Sequence, residues 1–198
     1  GEIVRVTANF LWMCQGYYDH SKGFTPEWEG MDDFKGQIVH PQTWPEDLDY
    51  KGKRVIVIGS GATAATVVPA IAGDCKHVTL LQRSPTYFIP GRNENELADE
   101  LHEIVRRKVL FDQNEFTRRA TEESDVVKEE LLAGVREFLG PDFDVEKHFT
   151  PAYRPWQQRI AFVPDGDLFQ GIASGKASVV TDHIERFTEK GILLKSGE

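Results

Sequence analysis

The chain has 198 residues, of which 40% are hydrophobic, and this is enough apolar material for a sizeable core in one or two domains. Its net charge of -9 argues against nucleic acid or an anionic membrane as a general partner, because neither gains from meeting an acidic surface. Cys14 and Cys75 are too few for a disulfide framework or a zinc site, so we expect no metal centre and a reducing, cytoplasmic setting. No apolar run reaches membrane-spanning length, and the chain does not open with a signal-peptide pattern.

The first 50 residues are predicted to form one or two strands followed by a loop. In residues 1–18, apolar and polar residues alternate at first and an apolar run follows, which predicts one or two strands ending at Gly16. Residues 17–49 are rich in Gly, Pro, Trp and Asp without periodicity, which is typical of an ordered loop or linker. The missing initiator methionine indicates an excised piece of a longer protein. We therefore expect the first strands to belong to a sheet whose other strands lie elsewhere.

Residues 53–83 predict a strand, a glycine turn, a helix and a second strand. An unbroken run of strand formers at 55–58 leads directly into a G-x-G-x-x-A pattern. Gly59 permits the tight turn, Gly61 lets backbone N–H groups approach a pyrophosphate, and Ala64 lets the helix lie close to the strand. The phosphates are expected at the helix N-terminus, where free amides and the helix dipole favour an anion. The predicted cofactor-binding residues of this turn are Gly59, Ser60, Gly61, Ala62, Thr63 and Ala64, with Thr66 as a further hydroxyl donor.

The end of the second strand distinguishes between the two nicotinamide cofactors. NAD sites usually place a carboxylate there to hold the ribose 2′-hydroxyl. In this chain the strand ends in Gln82, Arg83 and Ser84 instead. A guanidinium and a hydroxyl suit a 2′-phosphate, so Arg83 and Ser84 are predicted to select NADP(H).

The remaining elements complete an α/β prediction. Residues 94–111 and 115–139 are predicted to form two helices, after a loop marked by prolines at 85 and 90. Residues 178–181 predict a third parallel strand, and 183–188 with 191–195 predict a C-terminal hairpin. Pro69 is expected to kink or loosen the first helix. The predicted fold is α/β, with a Rossmann-like doubly wound parallel sheet, a helical insert at about 94–140 and a C-terminal β-hairpin.

A second motif lies upstream of the glycine turn. Residues 34–45 match the pattern F-x-G-x-x-x-H-x-x-x-W-P and are followed by the dinucleotide site. This combination resembles the fingerprint of the Baeyer–Villiger monooxygenases, a branch of the flavin-containing monooxygenases. The stretches LQRSPTYF and PWQQRIAFVPDGDLF look most like the sub-branch of ethionamide-activating enzymes. The resemblance covers most of the chain.

The resemblance implies an enzyme in which NADPH reduces a bound FAD, and the flavin then reacts with molecular oxygen and a small-molecule substrate. The N-terminal G-x-G-x-x-G for FAD is absent, so residues 51–198 resemble the NADP-binding domain alone, and 1–50 resemble a remnant of the FAD domain with the linker. By the same resemblance Arg159 matches the arginine that faces nicotinamide and flavin, although Gln158 replaces the lysine that many relatives carry before it. His40 is the fingerprint histidine, either a proton donor or a structural hydrogen-bonding residue. Arg159 could also simply pair with a surface carboxylate.

Two other functions remain open from the residues. A disulfide-reductase-like or ferredoxin-reductase-like flavoprotein also nests an NADPH domain in an FAD domain, although the redox C-x-x-C that would support it is not in this sequence. A non-catalytic NADP-binding module is the third alternative, because a fold does not determine a function. Under the monooxygenase interpretation, this chain alone is expected neither to bind FAD tightly nor to oxidise NADPH.

Overall fold

A parallel three-stranded sheet forms the centre of the protein. The computed structural model describes residues 3–14, 16, 19–94 and 98–198, with no account of the side chains at 98–101. The sheet has the strand order β1-β2-β5, and all of its pairs are parallel. The elements in chain order are β1 (Arg54–Ile58), α1 (Ala62–Ala72), β2 (His77–Gln82), β3 (Tyr87–Gly91), α2 (Ala98–Glu122), α3 (Ser124–Leu139), α4 (Val145–Phe149), β4 (Ile160–Pro164), α5 (Asp167–Ala173), β5 (Ala177–Thr181), β6 (Ile184–Thr188) and β7 (Gly191–Leu194).

The predicted α/β class is confirmed, with its parallel strands and an antiparallel C-terminal hairpin of β6 and β7. Helix α1 packs on β1 and β2 through small residues such as Ala64, which is buried. Pro69 lies inside α1, yet the helix continues to Ala72. Phe88, Phe149 and Phe169 meet edge to face in the core that joins this sheet to α3, α4 and α5.

The prediction of a loop at residues 85–91 was wrong, because β3 forms there and pairs in parallel with β4. Pro90 lacks an N–H, and this is tolerated because β3 is paired on only one side among the described residues. The two strands form a second small sheet. That sheet brings Tyr87 opposite Ile160, although the two residues are far apart in sequence.

The two predicted helices are present, but the boundary between them was placed wrongly. The break lies at Glu123, and α2 continues through the stretch at 112–114 that was expected to separate the helices. That stretch contains no Gly or Pro, and ion pairs of Lys108 with Asp112 and of Arg118 with Glu122 support the helix on both sides of it. The first predicted residues of the insert, at 95–97, lie outside the described part of the chain.

The strands predicted for residues 1–18 are not formed in residues 3–14, which have no ladder partner in the described chain. A strand needs a neighbouring strand for its backbone hydrogen bonds. The alternation of apolar and polar residues could therefore not produce a strand here by itself. Large apolar side chains are exposed in this segment: Ile3, Val4, Val6, Phe10, Leu11, Trp12 and Met13. Among the described residues, no helix is both long enough and apolar enough to cross a membrane.

Candidate functional site: a glycine turn at the carboxyl end of the sheet

The predicted glycine turn joins β1 to the N-terminus of α1. Gly59 has φ of 123°, a conformation that side chains strongly disfavour, and its N–H donates to the Leu81 carbonyl of β2 at 2.8 Å. Gly61 is the N-cap residue of α1, and no side chain caps the helix. The turn is therefore attached to the neighbouring strand while the helix end stays open.

The helix N-terminus leaves backbone amides available to a ligand. The first intrahelical hydrogen bond runs from the Ala65 N–H to the Gly61 carbonyl at 3.0 Å, so the N–H groups of the three residues between them have no helical acceptor. A Cβ placed on Gly59 or on Gly61 meets no atom within 4 Å. Open space in front of a row of free amides at the positive end of a helix dipole fits a pyrophosphate.

Two hydroxyls near the turn have structural partners. The Thr66 hydroxyl donates to the Ala62 carbonyl at 3.0 Å, so the suggestion that it donates to a phosphate is corrected. The Ser60 hydroxyl lies 3.1 Å from the Ser84 carbonyl and 3.0 Å from the Thr86 hydroxyl. The Ser60 side chain thus ties the glycine turn to the loop after β2.

That tie brings the two predicted halves of the cofactor site together. Arg83 and Ser84 are exposed and follow the last residue of β2, on the same edge of the sheet as the glycine turn. The Arg83 guanidinium carries a permanent positive charge. The end of β2, where a NAD site usually has a carboxylate, has none. The free amides at the start of α1 and the exposed Arg83 therefore lie at the same end of the sheet.

A buried polar network lies directly behind Arg83. Gln82 is 1% exposed, and its amide nitrogen donates to the His148 carbonyl at 2.7 Å and to the Thr181 hydroxyl at 2.9 Å. The same hydroxyl lies 2.8 Å from Nδ1 of His148. Because that hydroxyl already accepts from Gln82, it can donate its proton to an unprotonated Nδ1. Burial, followed by the nearby charge of Lys147, lowers the pKa of His148 and so favours its neutral form.

Stability is expected to fall as the pH drops below about 6.5, the ordinary histidine value. The unfolded chain then binds a proton at His148 before the native protein does, and the loss continues until the lowered native pKa is reached. Urea unfolding at pH 7.5 and 5.5 should show a smaller pH effect in His148→Gln than in wild type. His183→Gln, at an exposed histidine, is the matched control. If the free energy of unfolding changed equally with pH in His148→Gln and His183→Gln, His148 would not be the source of the pH dependence.

Arg159 approaches the same region from the second sheet. It is exposed and immediately precedes β4, whose first residue pairs with Tyr87 of β3. Extending this register by one residue sets Arg159 opposite Thr86, the residue whose hydroxyl contacts Ser60. The Tyr87 hydroxyl also donates to the Tyr153 carbonyl at 2.8 Å and so anchors the loop that leads to Arg159. The backbone thus links the glycine turn, the strand end and the loop carrying Arg159.

His40 is held within its own segment. Its Nδ1 accepts the Gln42 N–H at 3.2 Å, which caps the short 3-10 turn Pro41–Thr43. Its ring also covers Gly23 so closely that a Cβ there would lie 1.9 Å from the ring. These contacts occupy one face and one nitrogen of the imidazole and do not join it to the glycine turn.

The other fingerprint residues pack against the C-terminal hairpin and the start of the domain. Phe34 and Trp28 contact the ring of Phe187, with centroids 6.1 and 5.8 Å away. The Phe187 N–H donates to the Glu29 carbonyl at 2.7 Å. Trp44 meets Tyr50 edge to face at 6.0 Å. The segment is thereby attached to the C-terminal hairpin through Phe187 and to Tyr50, which packs against the main core.

Thr86, Tyr87, Gln82 and His148 were not recognised from the sequence as parts of the site. No local signal marks them, because their importance comes from contacts with residues 26 to 99 positions away. Two shallow surface depressions near the linker and hairpin contain none of the predicted cofactor residues. The described residues hold no group of three or more His, Cys, Asp or Glu suited to a metal ion.

A parallel sheet whose first strand passes through a glycine turn into a helix N-terminus defines a Rossmann-like α/β protein. The chain belongs to the flavin-binding monooxygenase-like family, whose sequence profile matches residues 6–197.

Individual relatives agree with this family, and a solved structure has a similar fold. The chain is 46% identical to the FAD-containing monooxygenase EthA of Mycolicibacterium smegmatis, over 100% of this chain and 42% of the relative. It is 47% identical to the probable FAD-binding monooxygenase AlmA of Acinetobacter baylyi, over 96% of this chain and 40% of the relative. The fold is similar to cyclohexanone monooxygenase from Rhodococcus sp. Phi1 bound to NADP+, with a TM-score of 0.66, 20% identity, and coverage of 88% of this chain and 41% of that one. The chain thus spans about two fifths of the length of these proteins.

Proposed function

We propose that this chain is the NADP(H)-binding part of an FAD-dependent monooxygenase, which inserts one oxygen atom into a ketone or oxidises a sulfur or nitrogen atom. The observation that carries the proposal is the convergence of the free amides of α1 with Arg83, held together by Ser60. Family membership favours a monooxygenase over the reductase and the non-catalytic module. The names of the relatives, which contain or bind FAD, support the flavin assignment.

In this proposal the residues of the glycine turn bind the cofactor backbone. The amides of residues 61–64 hold the pyrophosphate, because the helix dipole and the unpaired N–H groups favour an anion. Gly59 and Gly61 leave room for the phosphates to approach the backbone. Arg83 and Ser84 bind the 2′-phosphate. The Ser60 side chain keeps these two subsites at a constant separation.

Arg159 serves the nicotinamide end of the site. Its charge is fixed at all working pH values, so it can stabilise negative charge that develops on the reacting oxygen. When bound, the flavin and NADPH supply the redox chemistry, and the protein supplies binding and orientation. We assign His40 a structural role in the linker, because its Nδ1 already caps the turn at 41–43.

The proposal also includes an organisation and a location. Residues 51–198 form the NADP-binding domain, and 1–50 are the linker with a remnant of the FAD domain. The packing of Phe34 on Phe187 supports a linker that docks onto the domain it precedes. A cytoplasmic location is supported by Cys14 and Cys75, which are both free.

The test is anaerobic reduction of the intact protein that contains this chain, followed by turnover in labelled oxygen. NADPH should reduce the bound flavin with at least about tenfold higher efficiency than NADH, as one lost charge-assisted contact predicts. With oxygen admitted, one labelled atom should appear in a ketone or thioether probe. Arg159→Ala should slow turnover while leaving the affinity for 2′,5′-ADP intact. A purified intact protein that holds no flavin, or that prefers NADH, would refute the proposal.

A further inference from the structure

The loop before Arg159 contains a tryptophan in an unusual backbone conformation. The Gln157 N–H donates to the Arg154 carbonyl at 3.1 Å, which closes a four-residue turn with Pro155 and Trp156 at its centre. Trp156 has φ of 60°. A proline at the second position and a positive φ at the third define a type II turn, which favours Gly or Asn at the third position. This chain has a bulky aromatic residue there instead.

That choice has an energetic cost. A non-glycine residue held at positive φ destabilises the fold, and such positions cluster at functional sites. Glycine at 156 would satisfy the same turn without strain. The indole is therefore expected to make a contact outside the turn that offsets this strain.

The contacts of the ring indicate what this is. The indole of Trp156 meets Phe116 of α2 edge to face, with centroids 6.2 Å apart, and stays 45% exposed. Phe116 packs against the cluster of Tyr87, Ala120, Val127 and Leu131, which joins the two long helices to β3. Trp156 is thus one point at which the loop rests on the helical pair α2 and α3, beside Tyr153.

The same loop is held from the other side by Tyr87, which is 0% exposed and donates to the Tyr153 carbonyl. The rings of Tyr87 and Tyr153 also meet edge to face at 5.5 Å. Residues 153 and 156 are therefore both anchored, and Arg159 follows after three residues. Arg159 therefore lies between a loop held at two positions and the start of β4.

We propose that Trp156 is a positioning residue: its indole, resting on Phe116, fixes the loop that presents Arg159 and couples this loop to α2 and α3. The inference depends on the function proposed for Arg159. It assigns to the helical pair a mechanical role at the nicotinamide end of the site, since movement of α2 shifts Trp156 and with it Arg159.

The experiment uses the intact FAD-bound protein and the variants Trp156→Gly, Trp156→Phe, Phe116→Leu and Arg159→Ala. The rate of flavin reduction at saturating NADPH is measured anaerobically, together with the NADPH dissociation constant and the melting temperature. Trp156→Gly should slow reduction on the order of tenfold or more, because small misplacements of a catalytic group are costly. Its NADPH affinity should stay within about threefold and its melting temperature should not fall, because glycine relieves the strain. Trp156→Phe should recover most of the rate.

Phe116→Leu should slow reduction in the same direction, and the Trp156→Gly, Phe116→Leu double variant should be no slower than Trp156→Gly alone, since both remove one contact. A wild-type rate in Trp156→Gly, alongside slow Arg159→Ala, overturns this inference alone. Parallel losses of rate, affinity and melting temperature in Trp156→Gly also overturn it, in favour of a general structural role. A wild-type rate in Arg159→Ala removes the proposed role of Arg159 and this inference with it.

Discussion

Arg83→Ala is expected to weaken NADP(H) binding by roughly 10- to 150-fold while leaving NAD(H) binding nearly unchanged. Charge-assisted hydrogen bonds contribute about 1.5–3 kcal/mol, and only NADP(H) carries the 2′-phosphate that accepts them. Arg83 is exposed at the end of β2, so its removal leaves no buried group without a partner. Both cofactors should be titrated into the intact protein at one fixed salt concentration, because phosphate recognition is screened.

Arg54→Ala is the matched control for this measurement. Arg54 begins β1 and is also exposed, but it lies at the opposite end of the sheet, about 16 Å from the glycine turn by strand geometry. Its loss removes the same charge without touching the site. Equal losses for NADP(H) and NAD(H) in Arg83→Ala would mean that Arg83 stacks on the shared adenine, and no loss for either would place it outside the site.

Gly61→Val is expected to abolish measurable NADP(H) binding, with a loss on the order of a hundredfold or more, while the protein stays folded. Gly61 has φ of -82° and ψ of 179°, which other residues adopt readily, and a Cβ there meets no protein atom within 4 Å. The added side chain therefore costs the unliganded protein little. In the complex it projects towards the phosphates, which must approach the backbone closely. Calorimetric titration and thermal unfolding of one preparation measure both effects.

Two glycine-to-alanine variants test whether a loss of binding without a loss of stability is specific to position 61. Gly59→Ala should lower stability as well as binding, because φ of 123° strains any side chain. Gly73→Ala should leave binding unchanged and keep or raise stability by up to about 1 kcal/mol, because Gly73 has helical φ of -67° and open space around it. If Gly61→Val binds NADP(H) normally, the pyrophosphate does not lie over the α1 N-terminus, and the site must be placed elsewhere.

The aromatic contacts of the fingerprint give it a physical role independent of any catalytic one. Phe34 packs on the hairpin, Trp44 packs on Tyr50, and His40 caps a turn between them. These contacts hold the fingerprint segment to the C-terminal hairpin and to Tyr50, which itself packs against the main core.

The sequence by itself determined the elements whose pattern is local. The strand, helix and strand predicted within 53–83 form as β1, α1 and β2, and the strand predicted at 178–181 forms as β5, because an apolar run, a glycine turn and a helical period each act over a few neighbouring residues. The glycine turn and Arg83 were found in the same way, since their spacing along the chain is itself the signal.

Only the tertiary structure decided what depends on distant partners. β3 exists because β4 pairs with it, and residues 3–14 form no strand because no described strand lies beside them. Ser60 became a tie between two loops, and β4, which Arg159 immediately precedes, came beside β3, through contacts between residues more than 20 positions apart. The physical reason is that hydrogen bonds and side-chain packing across such separations depend on how the whole chain folds, whereas propensities record only the immediate neighbours of each residue.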